Sequence, residues 1–199
     1  MRNNSPLRIL GIASSRRSNS YSTQALALTL DHARKWNAET RILDLKIANI
    51  PTYDPEADDY PGTDIEKATV DVSWADAFIL SSPDYHGSMA GSLKNLLDHY
   101  WQEFSGKVFG YIVASHEKGL TVMDQMRTAV RQCYGWSLPY GISVNGEQDF
   151  SNGRLSNSRI EKRLEMMGRD ITVYGQLIRS QYLADLAGTE SSTFAARFR

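Results

Sequence analysis

The 199 residues predict a three-layer α/β fold on a mainly parallel sheet, from three observations. Five short apolar runs have strand character, helical patterns alternate with them, and parallel strands need such crossover connections. In order, Leu7 to Ala13 reads as the first strand, and Ala25, Leu26, Leu28, Leu30 and Ala33 mark the first helix. Thr40 to Leu45 is the second strand. Pro51, Pro55, Pro61 and Gly62 then punctuate a turn-rich segment before a helix ending near Trp74 and Ala75. Ala77 to Ser81 is the third strand. The helix starting near Met89 carries Leu93, Leu96, Leu97, Tyr100 and Trp101 at spacings that place all five on one face, with core packing as the plain reading. Val108 to Ala114 is the fourth strand. Leu120 to Tyr134 forms a helix with Met123, Met126, Val130 and Cys133 on one face and Gly135 as its stop. Leu138 to Val144 is the fifth strand. Ile160, Leu164, Met167, Ile171, Tyr174 and Ile178 define the last helix. Periodicity fades from Ala187 to Arg199, and residues 1–6 and 187–199 are expected to be flexible tails of a single domain.

Composition narrows the function classes. A chain this long buries roughly 70% of its unfolded surface and encloses a ligand crevice. Hydrophobic residues at 41% and charged residues at 23% are ordinary globular usage. The formal charge of −1 gives no net pull toward nucleic acid or an anionic membrane. The single cysteine, Cys133, forms neither an internal disulfide nor an iron–sulfur site, and its helical setting reads as a buried structural thiol. The start of the chain lacks the apolar stretch of a signal peptide, and no window reaches membrane-spanning length, so a cytoplasmic protein is expected.

In a sheet of this kind ligands bind beyond the carboxyl ends of the strands, where strand order reverses. Loops 14–22, 82–88 and 115–119 should therefore meet. The first runs Ser14-Ser15-Arg16-Arg17-Ser18-Asn19-Ser20-Tyr21-Ser22 into a helix, whose orphan amides and dipole suit an anion that a guanidinium also grips. The same serines also suit plain helix capping, with the arginines in solvent. Neither Gly-x-x-x-x-Gly-Lys nor Gly-x-Gly-x-x-Gly is present, which favours a monophosphate over a triphosphate or dinucleotide. The second loop, Pro83-Asp84-Tyr85-His86-Gly87-Ser88, offers an aromatic ring, an imidazole and the amides of Tyr85 to Ser88 to the edge of a flat heteroaromatic ligand. A tight turn with Gly87 for backbone freedom and Ser88 as helix cap is the alternative. His116 and Glu117 are open between an acid/base pair and solvated turn residues, and Lys94 with Asp98 suits a surface ion pair.

Taken together these motifs resemble the NADPH-dependent FMN reductase family, relatives of flavodoxin that include quinone, chromate and azo-dye reductases. The resemblance spans roughly residues 7 to 180. Ser15, Arg17, Ser20 and Ser22 match the family's phosphate loop. Pro83, Asp84, Tyr85, His86, Ser88, Gly91, Leu93, Lys94, Asn95 and Asp98 match its flavin loop, with Asp84 and His86 in place of the commoner Glu and Asn. Ile50 to Glu56 is similar to a third family stretch.

The resemblance implies a flavodoxin-like α/β/α fold, with a five-stranded parallel sheet in the order 2-1-3-4-5. It also implies non-covalent FMN, its phosphate on Ser15, Arg17, Ser20, Tyr21 and Ser22. The ring would lie between Pro83, Asp84, Tyr85, His86, Gly87 and Ser88 on one side and Ser115, Lys118 and Gly119 on the other. NADPH or NADH would deliver hydride to flavin N5 and give way to a small-molecule electron acceptor in a ping-pong cycle, with no protein group required as acid or base. The rival reading is a non-enzymatic electron carrier, against which the near-neutral charge speaks. Arg16 is a candidate for a co-substrate 2′-phosphate. A homodimer or homotetramer is expected through the helices starting near Met89 and Leu120, with Tyr100 and Trp101 as surplus aromatics.

Overall fold

A computed structural model describes residues 5–199, so Met1 to Asn4 of the expected amino-terminal tail lie outside the described residues. Strands β1 (Leu7–Ala13), β2 (Ala38–Asp44), β3 (Ala77–Pro83) and β4 (Val108–Ala114) run parallel in the order β2-β1-β3-β4. The fifth position is shared by β5 (Trp136–Ser137) and β6 (Ile142–Val144), both parallel to β4. This is the expected order with one correction. Leu138 still donates to the Phe109 carbonyl at 2.9 Å, but Pro139 has no N–H for the ladder, so the run 138–144 breaks and pairing resumes at Ile142.

Helices α1 (Tyr21–Lys35), α2 (Ile65–Trp74), α3 (Gly91–Asp98), α4 (Leu120–Gln132), the short α5 (Gly146–Asp149) and α6 (Ser158–Ala187) complete the three layers. Alternation along the strands divides the core. Leu10, Ile12, Phe78, Leu80, Phe109 and Tyr111 pack with residues of α2, α3 and α4. Leu7, Ile9, Ile79, Val108 and Ile112 pack with α1 and α6. β3 is buried along its whole length, as a central parallel strand covered on both sides must be. α1 and α6 cross at backbone contact, because a Cβ on Gly168 would meet the Thr29 carbonyl oxygen at 2.7 Å.

Three helix readings change. α3 stops at Asp98, so its apolar face ends there. Tyr100 is buried, whereas Trp101, at φ −138°, is half exposed and ties its amide to Glu103 Oε2 at 3.1 Å. α4 ends in a Schellman motif whose left-handed residue is Tyr134 (φ 59°) rather than Gly135. The Gly135 amide bonds Val130 O and the Tyr134 amide bonds Arg131 O, while Gly135 lets the chain pass Val130 and Phe109 without a Cβ clash. Tyr174 faces outward on α6, and Cys133 is half-buried rather than buried. Beyond α6, Phe194–Phe198 form a 3₁₀ turn in which Phe194 stacks on Tyr182 and Phe198 meets Trp101 and Tyr134 edge-on. Among the described residues no helix is long and apolar enough to cross a membrane.

Candidate active site

The parallel register aligns Ala13 with Ser81 and Ala114 with both Pro83 and Val144, so the loops after β1, β3, β4 and β6 leave the sheet at one level. β1 connects outward to β2, and the chain then returns to the other side at β3, which opens a crevice at the reversal. Its volume is about 1300 Å³. Serine hydroxyls fix the floor. Ser14 Oγ donates to the Ser81 carbonyl, Ser81 Oγ to the Ser22 carbonyl, and Ser92 Oγ to the Ser14 carbonyl, each at 2.8 Å.

The crevice brings together Ser15, Arg17, Ser20, Tyr21, Pro83, Asp84, Tyr85, His86, Gly87, Ser115, Lys118 and Gly119, as expected from the three loops. On the first loop, Ser20 is the N-cap of α1, accepting the Thr23 amide, and also stands on the crevice wall, so capping and ligand binding are compatible. The Arg17 guanidinium is exposed and has no partner among the described residues. Arg16 lies off the crevice lining, and one of its guanidinium nitrogens donates to the Leu45 carbonyl at 3.2 Å. Ser22 is fully buried and off the wall, its hydroxyl 3.0 Å from that of Ser20.

On the second loop, Tyr85 to Ser88 form a tight turn. Tyr85 and Ser88 exchange backbone hydrogen bonds of 3.0 and 3.1 Å across His86 (φ 57°) and Gly87 (φ 75°). Two successive left-handed residues make a type I′ geometry, which Gly satisfies without strain and His tolerates better than most. Asp84 Oδ1 accepts the Gly87 amide at 2.8 Å. The expectation that all four amides face a ligand is thereby narrowed. Three are satisfied inside the loop, and His86 N–H has no internal acceptor among the described residues. Ser88 lies off the wall, donating to Gln125 Oε1 at 3.0 Å.

The third loop starts where the Ser115 amide donates to the Val144 carbonyl and ends at Gly119, where φ is 58° and a Cβ would fall 2.6 Å from Val113 Cγ1, so a side chain there would clash. His116 and Glu117 line the crevice beside Lys118.

Residues outside the three loops also shape the crevice. Gly146 and Glu147 at the start of α5 close one side. The Tyr21 ring lies flush on Gly146, where a Cβ would fall 2.1 Å from the ring, and is backed by Phe150 at 4.6 Å between centroids. Gln125 on α4 clamps the second loop through Ser88, Met89 N and the Gly87 carbonyl. Cys133 is remote from the crevice. Burial pushes its thiol up, consistent with a structural role.

Residues 7–149 match the family model described as NADPH-dependent FMN reductase. The chain belongs to that family. Membership makes it an NAD(P)H-dependent oxidoreductase that uses FMN. It is 30% identical over 144 residues to the NADPH azoreductase of Bacillus sp. (strain OY1-2), covering 70% of this chain and 81% of that one. Among solved structures, NADH:FMN oxidoreductase (EMOB) superposes with a TM-score of 0.70 at 19% identity, over 84% of this chain and 89% of that one. The flavodoxin, WrbA-like protein of Agrobacterium tumefaciens gives 0.61 at 15%, over 88% and 98%. At these identities the likeness is one of fold.

The residues present fit FMN. An unpartnered guanidinium beside a helix N-terminus suits its phosphate, and a wall with Tyr85, an unengaged amide and a polar third loop suits its ring.

Proposed function

We propose that the crevice holds FMN with its phosphate on Ser15, Arg17 and Ser20 and its ring between loops 83–88 and 115–119, and that NADPH or NADH and a small-molecule acceptor use the remaining space in turn. The observation that carries this reading is the pairing of the Arg17 guanidinium and a capped helix start with an aromatic loop along one crevice. Bound FMN supplies the hydride chemistry. The protein's part is to hold and orient. Arg17 grips the phosphate, the His86 amide donates to the ring edge, and Tyr21 on Gly146 bounds the cavity. The volume exceeds the roughly 300–1,000 Å³ of a single drug-sized ligand, leaving room for a second flat molecule.

One shared space makes the two half-reactions successive, so a ping-pong cycle follows, and quinones, free flavin, azo dyes and metal oxyanions all qualify as acceptors by access alone. The azoreductase relative favours azo compounds among these. The proposal places the reaction in the cytoplasm, where NAD(P)H is available. It includes a homodimer or homotetramer, supported now by Trp101, which is 50% exposed, and no longer by Tyr100. A monomeric sedimentation mass for the flavin-loaded protein would remove that part. The test of the whole is an absorbance spectrum of the purified protein followed by anaerobic NADPH. A flavin spectrum that bleaches is expected, and a chain that neither carries nor takes up FMN would sink the proposal.

A further inference from the structure

We infer that Asp84 is a positioning residue that joins the two loops around the ring and biases the bound flavin toward its oxidised form, an inference that rests on the FMN reading above. Both oxygens of its carboxylate are committed. Oδ1 accepts the Gly87 amide at 2.8 Å and Oδ2 accepts the Ser115 hydroxyl at 2.9 Å. Its own amide donates to the Ala114 carbonyl at 2.8 Å, and Ser115 Oγ in turn accepts the Glu117 amide at 3.1 Å. One side chain therefore ties the His86–Gly87 turn to the start of loop 115–119.

The turn needs such a tie. A non-glycine residue with left-handed φ persists only where its surroundings over-determine it. Here Gln125 holds the far end through Ser88 and Met89, and Asp84 holds the near end. With the Gly87 amide engaged, the His86 amide is the one left for a ligand. Asp84 also places a fixed negative charge on the crevice wall. Reduction adds negative charge to the ring, so this charge opposes it. Asparagine separates the two roles, since its carbonyl accepts from Gly87 and its amide donates to Ser115 while the charge is gone.

The experiment measures FMN affinity and midpoint potential for wild type, Asp84→Asn and Asp84→Ala, and amide exchange at Gly87 in the flavin-free proteins. Asp84→Asn should keep FMN affinity within about threefold and keep Gly87 protected. It should also raise the affinity for reduced relative to oxidised FMN about tenfold, an upward shift of about 30 mV for a two-electron couple. Asp84→Ala should lose about tenfold in FMN affinity and expose Gly87 to exchange. Should Asp84→Ala fail to fold, Ser115→Ala removes one bond of the tie and should weaken FMN by about threefold with the potential unchanged. An unchanged potential in Asp84→Asn, or wild-type affinity and exchange in Asp84→Ala, overturns the inference. If wild type takes up no FMN, the FMN reading fails, while Gly87 exchange still reports whether Asp84 holds the turn.

Discussion

At the amino-terminal end of the sheet the Asp76 carboxylate, almost fully buried, receives the Arg8 amide and two nitrogens of the Arg8 guanidinium at 2.8–3.1 Å, with Arg179 Nε at 3.1 Å. At the carboxyl-terminal end the Arg17 guanidinium stands on the crevice wall without a partner among the described residues, although Asp84 lines the same wall. The carboxylate there is spent on an amide and a hydroxyl instead. Charge at one end closes the fold on itself, and at the other a cation faces the crevice, as the proposed phosphate contact requires. Partnering thus distinguishes an arginine that holds structure from one that the FMN proposal assigns to a ligand.

The largest effect should come from breaking the closed end. Asp76→Ala removes the shared acceptor of Arg8 and Arg179, and because the Arg8 side chain is 37% exposed and can turn to water, the expected cost is on the order of 3 kcal/mol, below that of a fully buried pair. Chemical denaturation should read that loss, and a loss below about 1 kcal/mol would show that the network is surface decoration.

Lys107 sharpens the same end. Burial pushes its ammonium down to about 8, against the opposing pull of Asp76 and Glu103, while its Nζ donates to the Val72 carbonyl at 3.2 Å. Below that pH the residue is charged folded and unfolded alike, and the folded state bears the full desolvation cost. Between about 8 and 10.5 the unfolded chain keeps a proton that the folded chain has released, so its contribution to stability rises with pH. The stability gap between Lys107→Met and wild type should therefore narrow across that window, by on the order of 3 kcal/mol. A gap constant with pH would mean that the ammonium is solvated.

The smallest effect belongs to the open end and should leave stability within about 0.5 kcal/mol. Arg17→Ala should weaken FMN by about 1.5–3 kcal/mol, roughly tenfold to a hundredfold, and riboflavin much less, because only FMN carries the phosphate. Equal losses for the two flavins in a titration would take Arg17 off the phosphate.

What the sequence disclosed follows the range of the interactions. The strand–loop–helix at 7–35 and the third strand with its loop were legible because anion loops, capping serines and apolar runs act over a few residues. Ser20 and Ser22 could not be told apart from sequence, since the full burial of Ser22 depends on β3 lying beneath it while Ser20 stays partly exposed on the crevice wall. Gln125, and Tyr21 on Gly146, depend on segments far apart in the chain, and no local pattern announces them. The β7 (Phe150–Ser151) and β8 (Arg154–Leu155) hairpin is different, because Asn152-Gly153 at its tip is a strong local signal for a two-residue turn. Pro139 likewise marked the break in the fifth strand.

The left-handed backbone at residue 86 also bears on how this crevice can diversify. Few side chains tolerate that conformation, with Gly, Asn, Asp and His foremost. As long as the turn is kept, descendants of this sequence have a short menu at 86. Tyr85, outside that conformation, and His116, Glu117 and Lys118 on the third loop face no such restriction. Drift toward new acceptors should therefore accumulate at 85 and 116–118, with 86 lagging behind because its backbone vetoes most replacements before selection acts on the chemistry.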